Sequence, residues 1–570
     1  MSVQSVPVRG GPRGRKPHAK LCRERGGGDM HWRKDACSSL DLNATSAKCT
    51  TSNGDAPSSF QPPLYTESAR PQLHFSPTSG FMNDPNGLVY SNGTWHMYYQ
   101  YNPNATVAGN QHWGHATSKD LFTWQQHLPA IAPENEGEGI FSGSAVLDVN
   151  NTSGFFDDNV PADSRFVAIY TLNTPAEQNQ NIAYSTDGQH YTKYSGNPVI
   201  SLNTTQFRDP KVFFDDATQQ WVMTVAHPQS YEVGFYASKD LRTWNELSRF
   251  GPHGVLGFQY ECPDLVQVPV KGGERDGQLA WVLVVSINPG APLGGSFVQY
   301  FVGDWNGTAF RPDNGAAQIA DFGKDWYAAQ TFYNAPQGRT VGLAWASNWQ
   351  YTNVAPTSPW RSVQSLPRDM TLRWTNMNPL QKGYVLALEP SPEILSLPST
   401  PLLNTTKAEN TTVVLRGDGA FDVRATVTAN VSSTNFPSLE FVISSSHGST
   451  AEKVKIGAQI GQPTMIYVDR RTAGRTWADE NVFFTDRLSG QLTPSTQNSS
   501  SALTTFDLRL IIDRSISELF VDGGLVSSTI LHFWDDKAQP AQLDVGTHGG
   551  VKLDFISVSH VRSTWPDCSS

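Results

Sequence analysis

A recurring strand–turn–aromatic unit constrains the fold of this chain more than any other feature. Ala116–Trp124 (ATSKDLFTW) returns as Ala237–Trp244 (ASKDLRTW), and weaker copies lie at Tyr184–Tyr191 and Val302–Thr308. Each copy reads as a strand, a polar turn that carries Asp, and an aromatic residue that begins another strand. The spacing of roughly 50 to 65 residues is near the span of a four-stranded propeller blade. The copies therefore predict a propeller of four or five blades. A large sandwich with similar hairpins is the alternative, but it would not oblige hairpins to recur at a fixed period.

The composition is typical of a large all-β protein. With 570 residues the chain is too long for one ordinary core. Its 47 Gly, 37 Pro and 11% aromatic residues suit short strands joined by many turns and do not suit helical bundles. A net charge of -10 argues against a nucleic-acid surface. No stretch approaches the roughly 20 apolar residues of a membrane helix, and the most apolar run, Trp281–Val285, is expected to be a buried strand.

A proline-rich segment divides the chain. Residues 386–402 contain four prolines among serines and leucines, and such a segment cannot continue a central strand. Beyond it, β composition or alternation recurs at Thr411–Leu415, Phe421–Val427, Leu508–Asp513, Ser517–Val521 and Val551–Phe555. The sequence thus predicts a five-bladed β-propeller over 66–385, a linker over 386–402 and a C-terminal β-sandwich over 403–565.

The N-terminal segment gives a mixed signal about location. Residues 1–65 are rich in Gly, Ser, Pro and Arg and lack the apolar core of a signal peptide, so a disordered tail is expected there. Glycosylation acceptors of the Asn-x-Ser/Thr type recur at Asn92, Asn104, Asn150, Asn151, Asn203, Asn306, Asn404, Asn410, Asn430 and Asn498. Their density favours a secreted or vacuolar glycoprotein. A cytoplasmic location is the alternative, and whether the mature protein keeps residues 1–65 stays open.

The cysteines and histidines predict neither a disulfide framework nor a metal site. The chain has five cysteines, Cys22, Cys37, Cys49, Cys262 and Cys568, and none forms a CxxC pair. An odd number argues against a disulfide framework. The histidines are scattered rather than spaced as zinc ligands.

The stretch Phe81–Gly87 (FMNDPNG) is the first that carries chemistry. It lies between two strand-like segments, Leu73–Phe75 and Leu88–Tyr90. Proline fixes φ, glycine accepts positive φ, and Asn and Asp side chains bond nearby backbone, so a tight turn is expected. Such a turn would hold the Asp84 carboxylate rigidly at a strand end, as a nucleophile requires.

Two more acidic turns follow in the repeat region. Phe207–Pro210 (FRDP) holds Asp209 and Tyr260–Pro263 (YECP) holds Glu261, each near a proline at the edge of an expected strand. Inner strands of successive blades would aim these carboxylates, with Asp84, at the central funnel. Because clustered carboxylates repel, at least one is expected to have a raised pKa and to stay protonated near neutrality. One ionised nucleophile and one protonated acid about 5 Å apart are the requirement of a retaining glycosidase.

These blocks also carry a family resemblance. The run from His74 to Arg361 resembles glycoside hydrolase family 32, and within it most closely the yeast and fungal invertases (β-fructofuranosidases). The matching blocks stand in family order: Asn83–Gly87, Gln100–Pro103, Trp113–Ala116, Phe141–Gly143, Phe207–Lys211, Tyr260–Pro263, Ser286–Pro292, Asp321–Ala328 and Trp345–Trp349. The C-terminal region, with Ile516–Phe520, is similar to the second domain of that family. The resemblance covers nearly everything after residue 70.

The resemblance implies a role for each acidic turn. Asp84 is expected to attack the anomeric carbon of a terminal, non-reducing β-D-fructofuranosyl unit, chiefly that of sucrose, and to form a covalent fructosyl-enzyme. Glu261 is expected to protonate the departing oxygen and then to deprotonate the attacking water. Asp209 is expected to stabilise the transition state beside Arg208. For Arg208 and Asp209 a structural ion pair is the alternative.

The resemblance also implies a set of substrate contacts: Asn83, Gln100, Trp113, Phe141, Ser142, Arg208, Asp321 and Tyr327. Trp113 is either a sugar platform or a core aromatic, and Asp321 and Tyr327 are expected at the pocket rim. The expected ligand is a small sugar, sucrose or a fructo-oligosaccharide. No cofactor or metal is implied, nor a nucleic-acid or membrane partner, and a homo-oligomer stays open.

Two departures from the family pattern bear on the outcome of the reaction. Phe81 stands where the family usually has Trp at the start of the nucleophile turn, and Ala108 replaces the Trp of the usual Val-Trp-Gly segment. The resemblance implies that both indoles wall the pocket, so a wider pocket is expected. Three functions stay open: a sucrose hydrolase with some transfructosylation, a fructosyltransferase or exo-inulinase-type fructanase, and a non-catalytic sugar-binding propeller.

Overall fold

The computed structural model describes residues 65–378, 381–408, 410–446, 452–461, 463–492 and 502–565. Nearly every regular element in these ranges is a β-strand, so the all-β prediction is confirmed. The α-helix found in the described ranges is a single turn, α1 (Arg475–Ala478). Short 3-10 turns lie at Ala162–Ser164, Pro228–Ser230, Pro336–Gly338, Thr352–Val354, Pro392–Ser396 and Asp535–Lys537. The predicted tail, apart from its last residue, and all cysteines except Cys262 lie outside the described residues.

The strands of the first three sheets follow one another along the chain. The first sheet contains β1 (Gly80–Ser91), β2 (Thr94–Asn102), β3 (His112–Ser118) and β4 (Trp124–Ile131). The second contains β5 (Gly139–Leu147), β6 (Phe166–Asn173), β7 (Gln178–Ser185), β8 (Thr192–Lys193) and β9 (Ile200–Ser201). The third contains β10 (Arg208–Asp215), β11 (Gln220–His227), β12 (Glu232–Ser238) and β13 (Asn245–Phe250). Consecutive long strands pair antiparallel, so each sheet is a meander.

Two further groups of strands join into one larger sheet. The first group contains β14 (Tyr260–Lys271), β15 (Leu279–Ile287), β16 (Phe297–Trp305), β17 (Phe310–Pro312) and β18 (Gln318–Ile319). The second contains β19 (Tyr327–Thr331), β20 (Val341–Ala346), β21 (Trp360–Arg361), β22 (Val363–Gln364), β23 (Arg368–Asn378) and β24 (Gln381–Pro390). A short parallel pairing of β14 with β23 connects the groups. β21 leaves its neighbours and pairs with β1 in parallel.

The first strands of the five groups form a ring of contacts. β1 contacts β5, β5 contacts β10, β10 contacts β14, β14 contacts β19, and β19 returns to β1. Residues far apart in sequence therefore meet where these strands face one another. The predicted buried strand at Trp281–Val285 lies within β15, at the centre of its group.

The repeated unit is a hydrogen-bonded turn between the third and fourth strands of a group. The Asp120 carboxylate accepts hydrogen bonds from the backbone N–H groups two and three residues further on. Asp187 and Asp240 accept the same pair of bonds in the next two sheets. The copy at Val302–Thr308 differs, because Asp304 lies within β16 and Asn306 accepts the equivalent bonds. An Asp or Asn side chain that bonds its own turn explains why the unit recurs in the sequence.

The strand-like approach predicted at Leu73–Phe75 is wrong. The backbone N–H groups of Gln72, Leu73 and His74 donate to the carboxylate of Asp513 at 2.7 to 3.0 Å, instead of pairing with a neighbouring strand. A side-chain acceptor more than 400 residues away satisfies this backbone. Local composition cannot reveal such a partner.

Two six-stranded sheets make up the C-terminal region. Their strands are β25 (Ser399–Ala408), β26 (Thr411–Val414), β27 (Ala420–Asn430), β28 (Ser438–Ser445), β29 (Lys453–Gln459), β30 (Thr464–Asp469), β31 (Arg487–Leu492), β32 (Leu503–Asp513), β33 (Ile516–Val521), β34 (Val526–Leu531), β35 (Pro540–His548) and β36 (Lys552–Val561). One sheet has the order β25-β36-β27-β32-β33-β34 and the other β26-β35-β28-β29-β30-β31. One core, which includes Val423 and Leu510 from the first sheet and Phe441 and Ile456 from the second, fills the space between them.

The proline-rich segment 386–402 has an irregular backbone only in part. The end of β24 covers residues 386–390, and the start of β25 covers residues 399–402. Pro390 ends its strand, and Pro401 lies in β25, which pairs with a neighbour on one side only. Both are positions where a strand tolerates a missing N–H.

Buried charges join the C-terminal region to the strands before it. His74 lies 2.8 Å from Asp513 and 3.5 Å from Glu518, measured from its two ring nitrogens. Arg368 pairs with Glu518 at 3.1 Å and with Asp321 at 2.9 Å. Each of these five side chains is at most 1% exposed. Partnered charges of this kind are costly to separate, so the network fixes how the two regions pack.

Candidate active site

One cavity of about 750 Å³ opens where the first strands meet. Its walls are formed by Asn83, Asp84, Gln100, Ala108, Gly109, Asn110, Gln111, Gly137, Glu138, Gly139, Phe141, Ser142, Asn173, Arg208, Asp209, Glu261, Asn288 and Trp349. The volume suits a small-molecule ligand, and the many amides and carboxyls suit a polar one. All three predicted acids lie on this wall.

The site residues lie where the regular pairing between two strands is interrupted. The register shifts between Met82 and Pro85 in β1, between Phe141 and Gly143 in β5, between Arg208 and Lys211 in β10, between Glu261 and Asp264 in β14, and between Tyr327 and Gln330 in β19. Such bulges leave residues unpaired and redirect their side chains. Asp84, Ser142 and Asp209 lie inside these breaks, and Glu261 lies at the edge of one.

The predicted tight turn at Asp84 is therefore wrong, because Asp84 lies within the 12-residue strand β1. A bulge and a turn both leave backbone unpaired, so both favour Asn, Asp, Pro and Gly. Gly87 has φ +51°, and a Cβ there would lie 2.6 Å from Tyr98 and 2.9 Å from Trp113. Glycine is thus required at this position of β1, three residues after Asp84.

Asp84 is a buried carboxylate held by three donors. Ser142 Oγ donates to its Oδ2 at 2.7 Å, and Asn83 Nδ2 donates to its Oδ1 at 3.2 Å. The Cys262 thiol lies 3.5 Å from Oδ2. These contacts fix both oxygens at the cavity wall.

Asp209 lies on the far side of the same thiol. Its Oδ2 accepts the Cys262 backbone N–H at 3.0 Å and lies 3.6 Å from Cys262 Sγ. Its backbone has φ +65°, which is unusual for Asp, and its N–H donates to Thr171 Oγ1 at 3.1 Å. The Cys262 thiol thus contacts both aspartates.

Glu261 is held at both carboxylate oxygens. Arg208 Nη2 donates to Oε1 at 2.8 Å, and Gln259 Nε2 donates to the same oxygen at 3.0 Å. Tyr327 Oη donates to Oε2. Arg208 Nε also lies 3.9 Å from Asp209 Oδ2, so one guanidinium faces two of the three acids.

The predicted rise in carboxyl pKa is found on the two aspartates. Burial raises the pKa of Asp84 and the charge of Glu261 adds to the rise, whereas the hydrogen bond from Ser142 opposes it. Burial raises the pKa of Asp209 to about 7; Arg208 opposes this rise, and the charges of Glu261 and Asp84 add to it. Burial and mutual repulsion thus make the two aspartates harder to ionise than a solvent-exposed carboxyl.

The structure brings most of the predicted contact residues together. Asn83, Gln100, Phe141, Ser142 and Arg208 all line the cavity. Tyr327 is fully buried and reaches the site through its bond to Glu261.

Three predicted contacts do not line the cavity, because Tyr327, which was expected at the pocket rim, is buried as well as Trp113 and Asp321. Trp113 is 0% exposed and packs in the core, where its Nε1 donates to the Phe141 carbonyl at 3.0 Å. The sugar-platform prediction is thus corrected to the core alternative. Asp321 pairs with Arg368 and accepts two hydrogen bonds from Thr529, so it belongs to the buried contact with the C-terminal region and not to the pocket rim.

The two departures from the family pattern differ in their consequences. Phe81 is fully buried behind the wall, with its ring 6.2 Å from that of Trp349, so its identity does not shape the cavity surface directly. Ala108 lines the cavity. Gly109 beside it has open space where a Cβ would stand. Of the two departures, Ala108 is the one on the cavity wall, so a wider pocket stays a prediction at that position.

Several wall residues were not anticipated. Gln111, Asn173, Asn288 and Trp349 line the cavity, although no role was predicted for any of them. Asn288 lies within Ser286–Pro292 and Trp349 within Trp345–Trp349, two segments that resemble family 32 sequences. That resemblance is the signal from which their place in the site could have been predicted. Gln111 and Asn173 have no such signal.

In the described ranges, no group of three or more His, Cys, Asp or Glu side chains has the arrangement to hold a metal ion. The site can position a sugar with amides and carboxyls and can move protons among its carboxyl groups.

No helix in the described ranges is long and apolar enough to cross a membrane.

Carboxyl groups that share the wall of one polar cavity are what a glycoside hydrolase requires. Residues 74–383 match the N-terminal domain of glycosyl hydrolases family 32, and residues 396–560 match the C-terminal domain of that family. The chain belongs to glycosyl hydrolase family 32.

Named relatives agree in sequence and in structure. The chain is 40% identical over 516 residues to an invertase of Schizosaccharomyces pombe, covering 88% of this chain and 86% of that protein. It is 43% identical over 484 residues to an extracellular exo-inulinase of Meyerozyma guilliermondii, covering 82% and 91%. The structure is similar to that of β-fructofuranosidase from Schwanniomyces occidentalis complexed with fructosyl-erythritol, with a TM-score of 0.81, 39% identity, and coverage of 88% of this chain and 98% of that one.

Proposed function

We propose that this chain is a retaining β-fructofuranosidase that releases terminal, non-reducing β-D-fructofuranosyl residues, chiefly by splitting sucrose into glucose and fructose. The observation that carries the proposal is the placement of Asp84, Asp209 and Glu261 on one cavity wall, with one thiol between the aspartates and one guanidinium between Asp209 and Glu261. The invertase and β-fructofuranosidase relatives support the same substrate class.

In the first half-reaction a carboxylate oxygen of Asp84 attacks the anomeric carbon of the fructosyl unit. The bond from that carbon to the glycosidic oxygen breaks, and Glu261 gives its proton to the departing oxygen. The donors Ser142 and Asn83 hold Asp84 in place for the attack.

In the second half-reaction Glu261 removes a proton from water, whose oxygen attacks the same carbon as the bond to Asp84 breaks. Arg208 and Tyr327 donate to the two oxygens of Glu261 and so hold its carboxyl group in place. Asp209 stabilises the positive charge of the oxocarbenium-like transition state through the sugar hydroxyls.

A product assay in concentrated sucrose tests the proposal. Glucose, free fructose and kestose-type trisaccharides are separated and measured over time. Glucose equal to fructose supports hydrolysis, and glucose in excess with trisaccharides supports transfer. Absence of turnover would contradict both, and would favour the remaining alternative of a non-catalytic sugar-binding propeller.

A fructosyltransferase or exo-inulinase-type activity is the second candidate. Two observations favour it: Ala108 and Gly109 leave space on the cavity wall, and an extracellular exo-inulinase is among the similar proteins. A sugar hydroxyl in place of water would complete the same second half-reaction.

For the fold we propose a closed five-bladed β-propeller over 66–385, a linker over 386–402 and a β-sandwich over 403–565. The cyclic contacts of β1, β5, β10, β14 and β19 support closure. The shared core of the two C-terminal sheets supports the sandwich. A deletion series that ends near residue 385 tests the boundary.

For location we propose a secreted or vacuolar glycoprotein, with a cytoplasmic protein as the alternative. Exposed acceptor asparagines support it: Asn92, Asn104, Asn150, Asn203, Asn306, Asn404, Asn410 and Asn430 are exposed, whereas Asn151 is partly buried and Asn498 lies outside the described residues. A shift in mass after endoglycosidase treatment of the native protein tests this. The proposed partner is a small sugar alone, without a nucleic acid or membrane, and a homo-oligomer stays an open proposal.

A further inference from the structure

We propose that Thr171 is a positioning residue that, together with Gln180, sets the direction in which Asp209 faces the sugar. The inference rests on the proposed function, because it concerns the alignment of that same site. Thr171 lies in β6 and Gln180 directly opposite it in β7, so the two side chains are cross-strand neighbours. Both residues are 0% exposed, and neither lines the cavity.

The backbone that carries Asp209 needs partners from outside its own sheet. β10 begins at Arg208 and is an edge strand, so one side of its backbone has no neighbouring strand in that sheet. Its pairing with β11 is also interrupted between Arg208 and Lys211, and Asp209 lies within that interruption. Because Asp209 has no paired residue in β11, its buried N–H needs an acceptor elsewhere.

Thr171 and Gln180 supply that acceptor in only one arrangement of donors and acceptors. The Phe207 carbonyl accepts a hydrogen bond from Gln180 Nε2 at 2.9 Å, so Gln180 presents its Oε1 to Thr171. Thr171 Oγ1 donates its single proton to that oxygen at 2.8 Å. The lone pairs of Thr171 Oγ1 then face the Asp209 N–H, which donates at 3.1 Å. We call these three hydrogen bonds the clamp, because they hold both ends of the segment from Phe207 to Asp209.

The clamp holds Asp209 in a backbone conformation that residues other than glycine adopt uncommonly. Its φ is +65°, and in this conformation its Oδ2 accepts the Cys262 N–H at 3.0 Å. Without the clamp the backbone is free to rotate, and the carboxylate would move relative to the sugar. A displacement of about 1 Å can cost about 100-fold in rate. Since Asp209 stabilises the transition state more than the bound substrate, the loss should lower kcat more than it raises KM.

Thr171→Val tests the clamp, because valine keeps the shape of threonine and removes its hydroxyl. With sucrose as substrate, kcat is expected to fall about tenfold or more, while KM changes by less than about threefold. Thr171→Ser keeps the hydroxyl and is expected to recover most of the lost kcat. A kcat of Thr171→Val within about twofold of the wild type, or a Thr171→Ser no faster than Thr171→Val, would overturn the proposal.

A double-mutant cycle shows whether Thr171 acts through Asp209. Asp209→Gly removes the carboxylate and accepts a positive φ. In that background Thr171→Val is expected to change kcat by less than about threefold, because the group that it positions is gone. An equal loss from Thr171→Val in the wild-type and Asp209→Gly backgrounds would overturn the positioning role.

The matched control is Thr340→Val, the same substitution at a buried threonine that does not line the cavity. Thr340 Oγ1 donates to the Gln267 carbonyl at 2.7 Å, so this variant also loses a hydroxyl hydrogen bond. Its kcat is expected to stay within about twofold of the wild type, even where its unfolding temperature falls as far as that of Thr171→Val. An equal loss of kcat in the two variants would assign the effect to general destabilisation and overturn the proposal.

If Thr171→Val yields too little folded protein, Gln180→Met repeats the comparison, because it removes both polar atoms of the other member of the clamp. A wild type that releases no fructose from sucrose would instead overturn the proposed function.

Discussion

The ion pair between His74 and Asp513 makes stability depend on pH on the alkaline side. Burial alone would lower the pKa of His74, but the side chains of Asp513 and Glu518 raise it from 6.5 to about 9. The folded protein therefore keeps this proton to higher pH than the unfolded chain. The perturbation is a pH change in the wild type, compared with the same change in His74→Gln.

The size of this stabilisation follows from the shift in the pKa of His74. Each pKa unit corresponds to about 1.4 kcal/mol, so a rise from 6.5 to about 9 stabilises the folded protein by about 3 kcal/mol. Because the folded pKa is the higher one, this contribution is fully present below about pH 6.5. The contribution declines between about pH 6.5 and about pH 9 and is lost above about pH 9. The lowered pKa values of Asp513 and Glu518 act on the acidic side and do not alter this window.

Urea unfolding followed by tryptophan fluorescence measures the effect. Between about pH 6 and about pH 10 the wild type should lose about 3 kcal/mol more unfolding free energy than His74→Gln, in which residue 74 does not titrate. Parallel pH dependence in the two proteins would refute the reasoning, because it would mean that His74 binds its proton equally well in both states.

Three further perturbations separate the roles of the site and of the core. Ser142→Ala removes a donor that lowers the pKa of Asp84, so the acidic limb of the kcat/KM profile should move to higher pH; an unmoved limb would contradict this. Ala108→Trp should shift products in concentrated sucrose from trisaccharide towards free fructose, and an unchanged ratio would make the open wall irrelevant. Arg368→Met should lower the unfolding free energy by roughly 3–5 kcal/mol, since it leaves buried carboxylates unpaired. The exposed Arg249→Met should cost about 1 kcal/mol or less, and equal losses in urea unfolding would contradict the buried network.

Features with local partners could be predicted from the sequence. The Asp120 turn bonds residues two and three positions away, so its pattern is complete within a few letters and recurs where the turn recurs. The strand at Trp281–Val285 is likewise visible, because a short apolar run of β-branched residues suits a buried strand.

Features with distant partners could not be predicted in the same way. Asp321 looked like a pocket residue beside Tyr327, but its partners Arg368 and Thr529 lie far along the chain. Trp113 lies in a motif that suits a sugar platform equally well, and its complete burial, with Gly87 packed against its ring, shows that it belongs to the core.

The acidic stretches illustrate a third case, in which the meeting of the three acids was predicted and the backbone conformation at Asp84 was not. Asn, Asp, Pro and Gly signal unpaired backbone, and a turn and a bulge share that property. The three acids therefore meet as expected, although Asp84 reaches the cavity from the middle of β1 and not from a turn at a strand end.

The central claim is that Asp84 forms a covalent bond to the fructosyl unit while Glu261 handles the protons. Glu261→Ala, incubated with a fructosyl substrate that has an excellent leaving group and then quenched, should carry one fructosyl unit, because the first step no longer needs an acid and the second lacks its base. Peptide mass spectrometry should place that unit on Asp84, and Asp84→Ala/Glu261→Ala should carry none. An adduct on another residue, or active enzyme after Asp84→Ala, would contradict the account.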